Sequence, residues 1–306
     1  MKHMKKAFTL IEMLVVIGII AILIGILVPA LSGSSDSAKA AKCLANMHTL
    51  AMGVQARAME NGHYPFAGSL QRYRSARHAD GAVAAHGWVG WSSDNASGSY
   101  ISPYSSDKDA RYYSLTNGAI WRAVSRNRDV FVCPVHRDVL RKRVGSKDKY
   151  GPCWSYAMNA WFGWQTRDSP YNHNHAGRHY EHVEEKAKIL LFAELPFIDC
   201  VDLGGNQVQT ADYSEGANKA NDPVLQYSDC DGGGDEIIGF NHKQGKRDVF
   251  AHVCFADGHT EKFRLPRNAS QANLKQLTKW LCYPRTDSGK RFDIVIEGDE
   301  YKQLSN

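Results

Sequence analysis

Phe8-Thr9-Leu10-Ile11-Glu12-Met13-Leu14-Val15-Val16-Ile17 opens a run that continues through Gly18, Gly25 and Pro29 to Leu31. Its only charge is Glu12. About 20 apolar residues are enough for a helix to cross a bilayer. A carboxylate inside such a span costs about 2.5–3.5 kcal/mol on insertion scales, so Glu12 demands a function. Before the run stand Met1-Lys2-His3-Met4-Lys5-Lys6-Ala7, a basic leader ending in a small residue. Positive flanks stay on the cytoplasmic side, which places the remainder of the chain outside the cytoplasm.

A basic leader, a small residue and then Phe-Thr-Leu-Ile-Glu resembles the processing segment of type IV prepilins and type II secretion pseudopilins. The resemblance implies cleavage between Ala7 and Phe8 by a prepilin peptidase and methylation of the new amine on Phe8. It further implies assembly with other pilin or pseudopilin subunits, through the apolar helix, on an inner-membrane platform. Most members carry glycine before the cut; here Ala7 stands there. Glu12 lies one helical turn after Phe8, so in a staggered stack its carboxylate meets the amine of a neighbour, which relieves the cost of a lone buried charge. Three plainer readings compete. A secretory signal could be cut after Ala30, but its apolar core would exceed the usual roughly 7–15 residues and would carry a Glu. The others are an uncleaved anchor and a buried core helix.

At 306 residues the chain holds a long helix and one substantial globular domain. The mean hydropathy of −0.42 reflects a polar remainder without a second apolar span. The formal charge of +5 falls by the three leader lysines to +2, too weak a balance to suggest nucleic acid. None of the seven cysteines forms a C-x-x-C pair, so a zinc ribbon or thioredoxin-like site is not indicated. An oxidising compartment favours pairing. Loop position suggests Cys133 with Cys153 and Cys200 with Cys230, while Cys254 lies in an apolar run suited to burial.

Pro29 is expected to kink the helix or loosen its hydrogen bonding. Beyond it Ala38, Ala41, Leu44, Met47, Ala51, Val54 and Ala58 recur at helical spacing, an apolar stripe suited to packing on a sheet. Asn61-Gly62 is a stop signal, so one helix of roughly 80 Å is predicted over about residues 8–60. The four expected regions are a leader (1–7), a transmembrane or filament-core helix (8–31), an amphipathic continuation (32–62) and an extracytoplasmic globular domain (63–306). The predicted class is α+β: the long helix packed on a small antiparallel sheet with long loops. Within the domain the pattern predicts a helix over 114–126 and strands over 129–133, 188–194, 249–256, 259–263 and 292–296. A turn or short strand is expected in 154–164, loop over 201–236 and a short helix over 273–281.

Further segments resemble a subgroup of prepilin-type proteins that carries a C-terminal His-spacer-Asp-Gly motif. They are Asn117-Gly118-Ala119-Ile120-Trp121, Val132-Cys133-Pro134, Ser155-Tyr156-Ala157-Met158-Asn159, Leu190-Leu191-Phe192-Ala193-Glu194, and His242 with Phe255-Ala256-Asp257-Gly258-His259. The subgroup has nine residues between His and Asp-Gly; here fourteen separate His242 from Asp257, which is expected to lengthen a hairpin loop. His242, Asp257 and His259 are candidate ligands or acid–base groups, against a plainer role in capping the turn. Asp229-Cys230-Asp231-Gly-Gly-Gly-Asp235-Glu236 sets oxygen ligands around glycines and can hold calcium, but lacks the full EF-hand pattern and equally suits a solvated acidic loop. His173, His175, His179 and His182 form an unspecific metal-capable cluster. Trp88, Trp91, Trp154, Trp161 and Trp164 either stack on sugars or partners or fill the core.

No P-loop, G-x-S-x-G or zinc-protease motif is present. The sequence thus points to a non-enzymatic filament subunit. The alternatives are a membrane-anchored glycan-binding or adhesive protein and an exported metal-dependent hydrolase built around His242 and Asp257.

Overall fold

The computed structural model describes residues 9–65, 67, 87–89, 115–116, 118–143, 154–159, 162, 186–196, 200–202, 207–209, 224–225, 237–244, 248–265, 274, 277–278 and 281–282. Helix α1 spans Leu10–Asn61 and runs on through position 29. Thr9 is its N-cap, and Gly62 ends it with φ 74°, the left-handed conformation that glycine adopts without steric cost. The 52 residues give a rod of about 78 Å. From Leu10 to Ile26 every side chain is exposed, with Leu10 82 % and Ile26 70 % accessible. Among the described residues no helix is long and apolar enough to cross a membrane.

The second half of α1 lies on the sheet. Its buried face is Ala40, Cys43, Met47, Leu50, Ala51, Val54 and Ala58. The predicted stripe holds from Met47 onward but is rotated before it, since Ala38 and Ala41 are exposed and Cys43 points inward. Gly53 lets α1 approach the segment at 120–124, where an added Cβ would stand 2.9 Å from a Val124 methyl.

The sheet is built from β1 (Tyr156–Asn159), β2 (Leu190–Glu194), β5 (Val224–Leu225), β6 (His242–Gln244), β7 (Asp248–Phe255) and β8 (Thr260–Arg264). Its order is β5-β1-β2-β7-β6, with β8 also on β7. All pairs are antiparallel except the short parallel pair β1–β5. The eight-residue β7 is the spine: β6 pairs its first half, with His242 opposite Phe250, and β2 pairs its second half, with Ala193 opposite Val253. Strands β3 (Cys200–Asp202) and β4 (Gln207–Gln209) form a separate hairpin. Both β1 and β2 are buried along their whole length, as their near-continuous apolar runs require.

Three local expectations are corrected. Among its described residues, the helix predicted over 114–126 is helical only at Leu115–Thr116; a bend at Gly118 and turns over 119–126 follow, with Ser125 and Arg126 both at φ 57°. Of the residues its helical spacing turns inward, Leu115, Ile120, Trp121 and Val124 are nevertheless buried, while Ala119 is half-buried. The strand predicted over 129–133 is a 3-10 turn over Arg128–Phe131 followed by helix α2 (Pro134–Arg143). Asn127 accepts the Asp129 amide, which starts the turn, and Pro134 suits the first helical position because its missing N–H would be unpaired there. Residues 201–236, read as loop, contribute β3, β4 and β5 through stretches of two or three residues. The strand expected over 292–296 lies outside the described residues.

Candidate functional site

Two places in this architecture concentrate chemistry. The first is the start of α1. Glu12 folds back on the N-cap: its Oε2 accepts from the Thr9 amide at 2.8 Å and from the Thr9 hydroxyl at 2.7 Å, while the Thr9 Oγ1 accepts the Glu12 amide at 3.3 Å. This reciprocal capping box satisfies amides that a helix start leaves unpaired. Glu12 thus serves its own chain while remaining exposed and able to accept a further donor. Ala7 and Phe8 lie outside the described residues.

The second is a sealed polar cluster between α1 and the sheet. Glu194, the last residue of β2, is fully buried and stands at its centre. Its Oε1 accepts from the Cys43 thiol at 2.8 Å and from His242 Nε2 at 2.8 Å. Its Oε2 accepts the His252 backbone amide at 3.3 Å and lies 3.6 Å from His252 Nδ1. The His242 and His252 rings stack at 4.1 Å. The Cys133 thiol lies 3.6 Å from His242 Nε2, and the Tyr156 hydroxyl lies 3.3 Å from Cys43 Sγ. Neither ring nitrogen of His252 has a hydrogen-bond partner among the described residues, although the side chain is fully buried.

Glu194 must be paired in this setting, because a lone buried carboxylate would be strongly unfavourable. Burial opposes its charged form, but His242 above all, with His252 and Cys43, outweighs burial and holds its pKa below the ordinary range. Burial likewise opposes a charged His242, and the Glu194 carboxylate overcomes it, raising the pKa of the ring. The pair is therefore an ion pair in the dry interior. Burial first, then Cys133 and Glu194, push the Cys43 thiol well up. Burial keeps His252 neutral, lowering its pKa to about 4. Further out, Ser155 Oγ accepts the Cys133 amide at 2.9 Å and bonds His136 Nδ1 at 2.8 Å, in a site where burial lowers the His136 pKa to about 3.

The motif residues divide between two settings. His242 belongs to the sealed cluster. Asp257, Gly258 and His259 form the turn joining β7 to β8, with Asp257 exposed, Gly258 buried and His259 half-buried; Asp257 Oδ1 accepts the His259 amide at 3.0 Å and the His259 ring at 2.5 Å. His242 and Asp257, the pair on which the alternative hydrolase reading rests, thus lie in different settings; among the described residues the metal-capable group is Cys43, Glu194, His242 and His252, whose ligand atoms all lie within 4.8 Å of one another. The turn itself holds α1, because Gly258 O accepts from His48 Nδ1 at 2.8 Å and Ala256 O accepts from Gln55 Nε2 at 2.8 Å.

The bridge expected from Cys133 to Cys153 is also corrected. Cys133 is a free, buried thiol beside His242, Cys43 is a free thiol of the same cluster, and Cys254 is free and buried elsewhere in the sheet. Cys153, Cys230, the acidic residues Asp229, Asp231, Asp235 and Glu236, and the His173–His182 cluster lie outside the described residues. Trp88 and Trp154 fill the core; Trp88 packs edge-on against Phe192 at 4.8 Å, leaving no aromatic platform there for a sugar.

Residues 2–28 match the family model of the prokaryotic N-terminal methylation motif, the cleavage and methylation segment of type IV pilins and pseudopilins. No curated protein and no solved structure matches the chain.

Proposed function

We propose that this chain is the precursor of a type IV pilin-like filament subunit. A prepilin peptidase cuts between Ala7 and Phe8 and the new Phe8 amine is methylated. The apolar half of α1 first anchors the chain in the inner membrane, with the globular domain outside the cytoplasm. It then packs against the same helix of other subunits in a pilus or a secretion pseudopilus. The role is structural rather than enzymatic. The observation that carries the reading is the coincidence of the methylation motif with a helix whose first 17 residues, Leu10 to Ile26, expose only apolar side chains apart from Glu12 and the two glycines, while its second half is locked to a sheet. Such a surface needs lipid or other helices to cover it.

Glu12 supplies the register. Its Oε2 already accepts two bonds from Thr9, and a carboxylate has about four acceptor positions, so the amine of a neighbouring Phe8 can join without breaking the cap. The test has two parts. The mature chain from native membranes is expected to begin at Phe8 and to be heavier by one methyl group; a chain beginning at Met1 would leave a plain anchor. Glu12→Ala is expected to leave the globular domain folded and abolish filaments, and normal assembly of that variant would defeat the reading.

A further inference from the structure

We propose that Cys43, Glu194, His242 and His252 bind one divalent transition-metal ion, zinc by the chemistry of the donors, and that this ion clamps α1 to the sheet. One sulfur, two imidazole nitrogens and one carboxylate oxygen are the donor types zinc takes in four-coordinate sites. Calcium, by contrast, takes six to eight oxygens. Tetrahedral zinc with sulfur at about 2.3 Å and nitrogen or oxygen at about 2.0–2.1 Å places its ligands roughly 3.3–3.6 Å apart. The four ligand atoms here lie within 4.8 Å of one another; Cys43 Sγ stands 2.8 Å from Glu194 Oε1, and His252 Nδ1 stands 3.6 Å from Oε2 of the same carboxylate. Rotamer adjustments of about an ångström close the shell.

The second observation is His252. It is fully buried, reaches the cluster with Nδ1, and has no hydrogen-bond partner on either ring nitrogen among the described residues. A buried polar atom without a partner costs about 1–3 kcal/mol, and a metal at Nδ1 would remove one such penalty. The charges also close. A thiolate and a carboxylate carry two negative charges against the ion's two positive ones, and both imidazoles are neutral, so the filled site has no net charge to bury. Binding releases two protons to solvent, one from the Cys43 sulfur and one from His242 Nε2. All four ligands come from the protein and the site is sealed, leaving no open position for water or substrate. That is the character of a structural site, not a hydrolytic one. Its ligands belong to α1, β2, β6 and β7, so the ion joins the helix to three strands at one point.

The experiment uses the full chain purified in detergent without chelator. Elemental analysis is expected to find about one zinc per chain. After removal of zinc, cobalt(II) is expected to restore one equivalent and to give the near-ultraviolet charge-transfer absorption of a cobalt–thiolate bond. Cys43→Ser is expected to abolish that absorption. His252→Gln is expected to weaken cobalt binding beyond the roughly 10–100-fold that follows loss of a supporting hydrogen bond. Cys254→Ala, which removes a buried thiol outside the cluster, is expected to leave the absorption intact. The proposal is overturned if the folded wild-type chain takes up neither zinc nor cobalt, if the absorption survives Cys43→Ser, or if peptide mapping finds Cys43 joined to Cys133 as a disulfide. The wild-type titration decides the matter even where a variant fails to fold.

Discussion

Replacing Gly258 by alanine tests whether the Asp257-Gly258 turn fixes the seat of α1. Gly258 adopts φ 93°, beyond the small left-handed region open to L-residues. Entering that region costs a non-glycine residue about 1–2 kcal/mol. An added Cβ would also stand 3.3 Å from Gln55 Nε2, tighter than an ordinary contact, so the bond from Gln55 to Ala256 O must give way slightly. Loss of that bond adds about 0.5–1.5 kcal/mol. The expected total is about 1.5–3.5 kcal/mol, measured by urea unfolding of the full chain in detergent, followed by circular dichroism. Gly258→Asn should lose less, because asparagine enters positive φ several-fold more readily. In a Gln55→Ala background the cost of Gly258→Ala should shrink toward its backbone part, giving a coupling of about 0.5–1.5 kcal/mol. A loss below about 0.5 kcal/mol for Gly258→Ala, or no coupling to Gln55, would refute the argument that this turn holds the helix.

Three further outcomes are expected from the core. Burial lowers the His136 pKa to about 3, so between that value and the ordinary value of about 6.5 the unfolded chain binds a proton that the folded chain does not. Stability from this group is complete above about pH 7 and falls on acidification, by about 2 kcal/mol at pH 5. His136→Gln should flatten the difference in urea midpoint between pH 7.5 and pH 5 by that amount, and an unchanged slope would count against a neutral buried ring. Phe192→Ala removes a fully buried ring packed against Trp88 and should cost about 3–5 kcal/mol in the same assay. Gly118→Ala would set a Cβ 2.5 Å from Trp88 O and 2.8 Å from Val89 Cα, both backbone atoms, and should cost about 1–3 kcal/mol with weakened tryptophan near-ultraviolet dichroism.

Helix α1 was legible because its signals agree: an apolar run, a helical stripe, and Asn61-Gly62 at the end, where Gly62 takes the left-handed conformation. The β7–β8 hairpin was legible because two strand-like runs flank the tight turn at Asp257-Gly258. The failures are local. Around 118–126 the apolar spacing is helical, yet Gly118 sits too close to Trp88 and Val89 for any side chain, and the Ala119 amide bonds Gly87 O; tertiary contact overrides the pattern. Of the cluster only His242 drew attention as a metal or acid–base candidate. Cys43 lies outside the apolar stripe that the helical spacing marks, and the second half of β7, which holds His252, is buried on both faces, where alternation gives no warning. Glu194 carried the usable signal: a carboxylate closing the run Leu190-Leu191-Phe192-Ala193 belongs to a buried strand, and a buried charge must have partners. Those partners lie 48 and 151 residues away, which no local pattern can reveal.

The two ends of the His-spacer-Asp-Gly motif then have one structural task. His242 bonds Glu194, which takes the thiol of Cys43 on α1; the Asp257-Gly258 turn accepts His48 and Gln55 of the same helix. Cys43 and Gln55 are twelve residues apart, about 18 Å along the rod. Two attachments at that separation fix both the roll and the tilt of the helix on the sheet, whereas one would leave it free to pivot. Between His242 and Asp257 the chain folds back on itself in the pairing of β6 with β7, with Lys243 opposite Val249 and Gln244 opposite Asp248. His242 and the turn keep their places at opposite ends of β7. In the filament proposed above, that rigidity carries the placement of the bare helical half through to the globular domain. A flexible joint at the same place would let identical helices carry their domains at different angles.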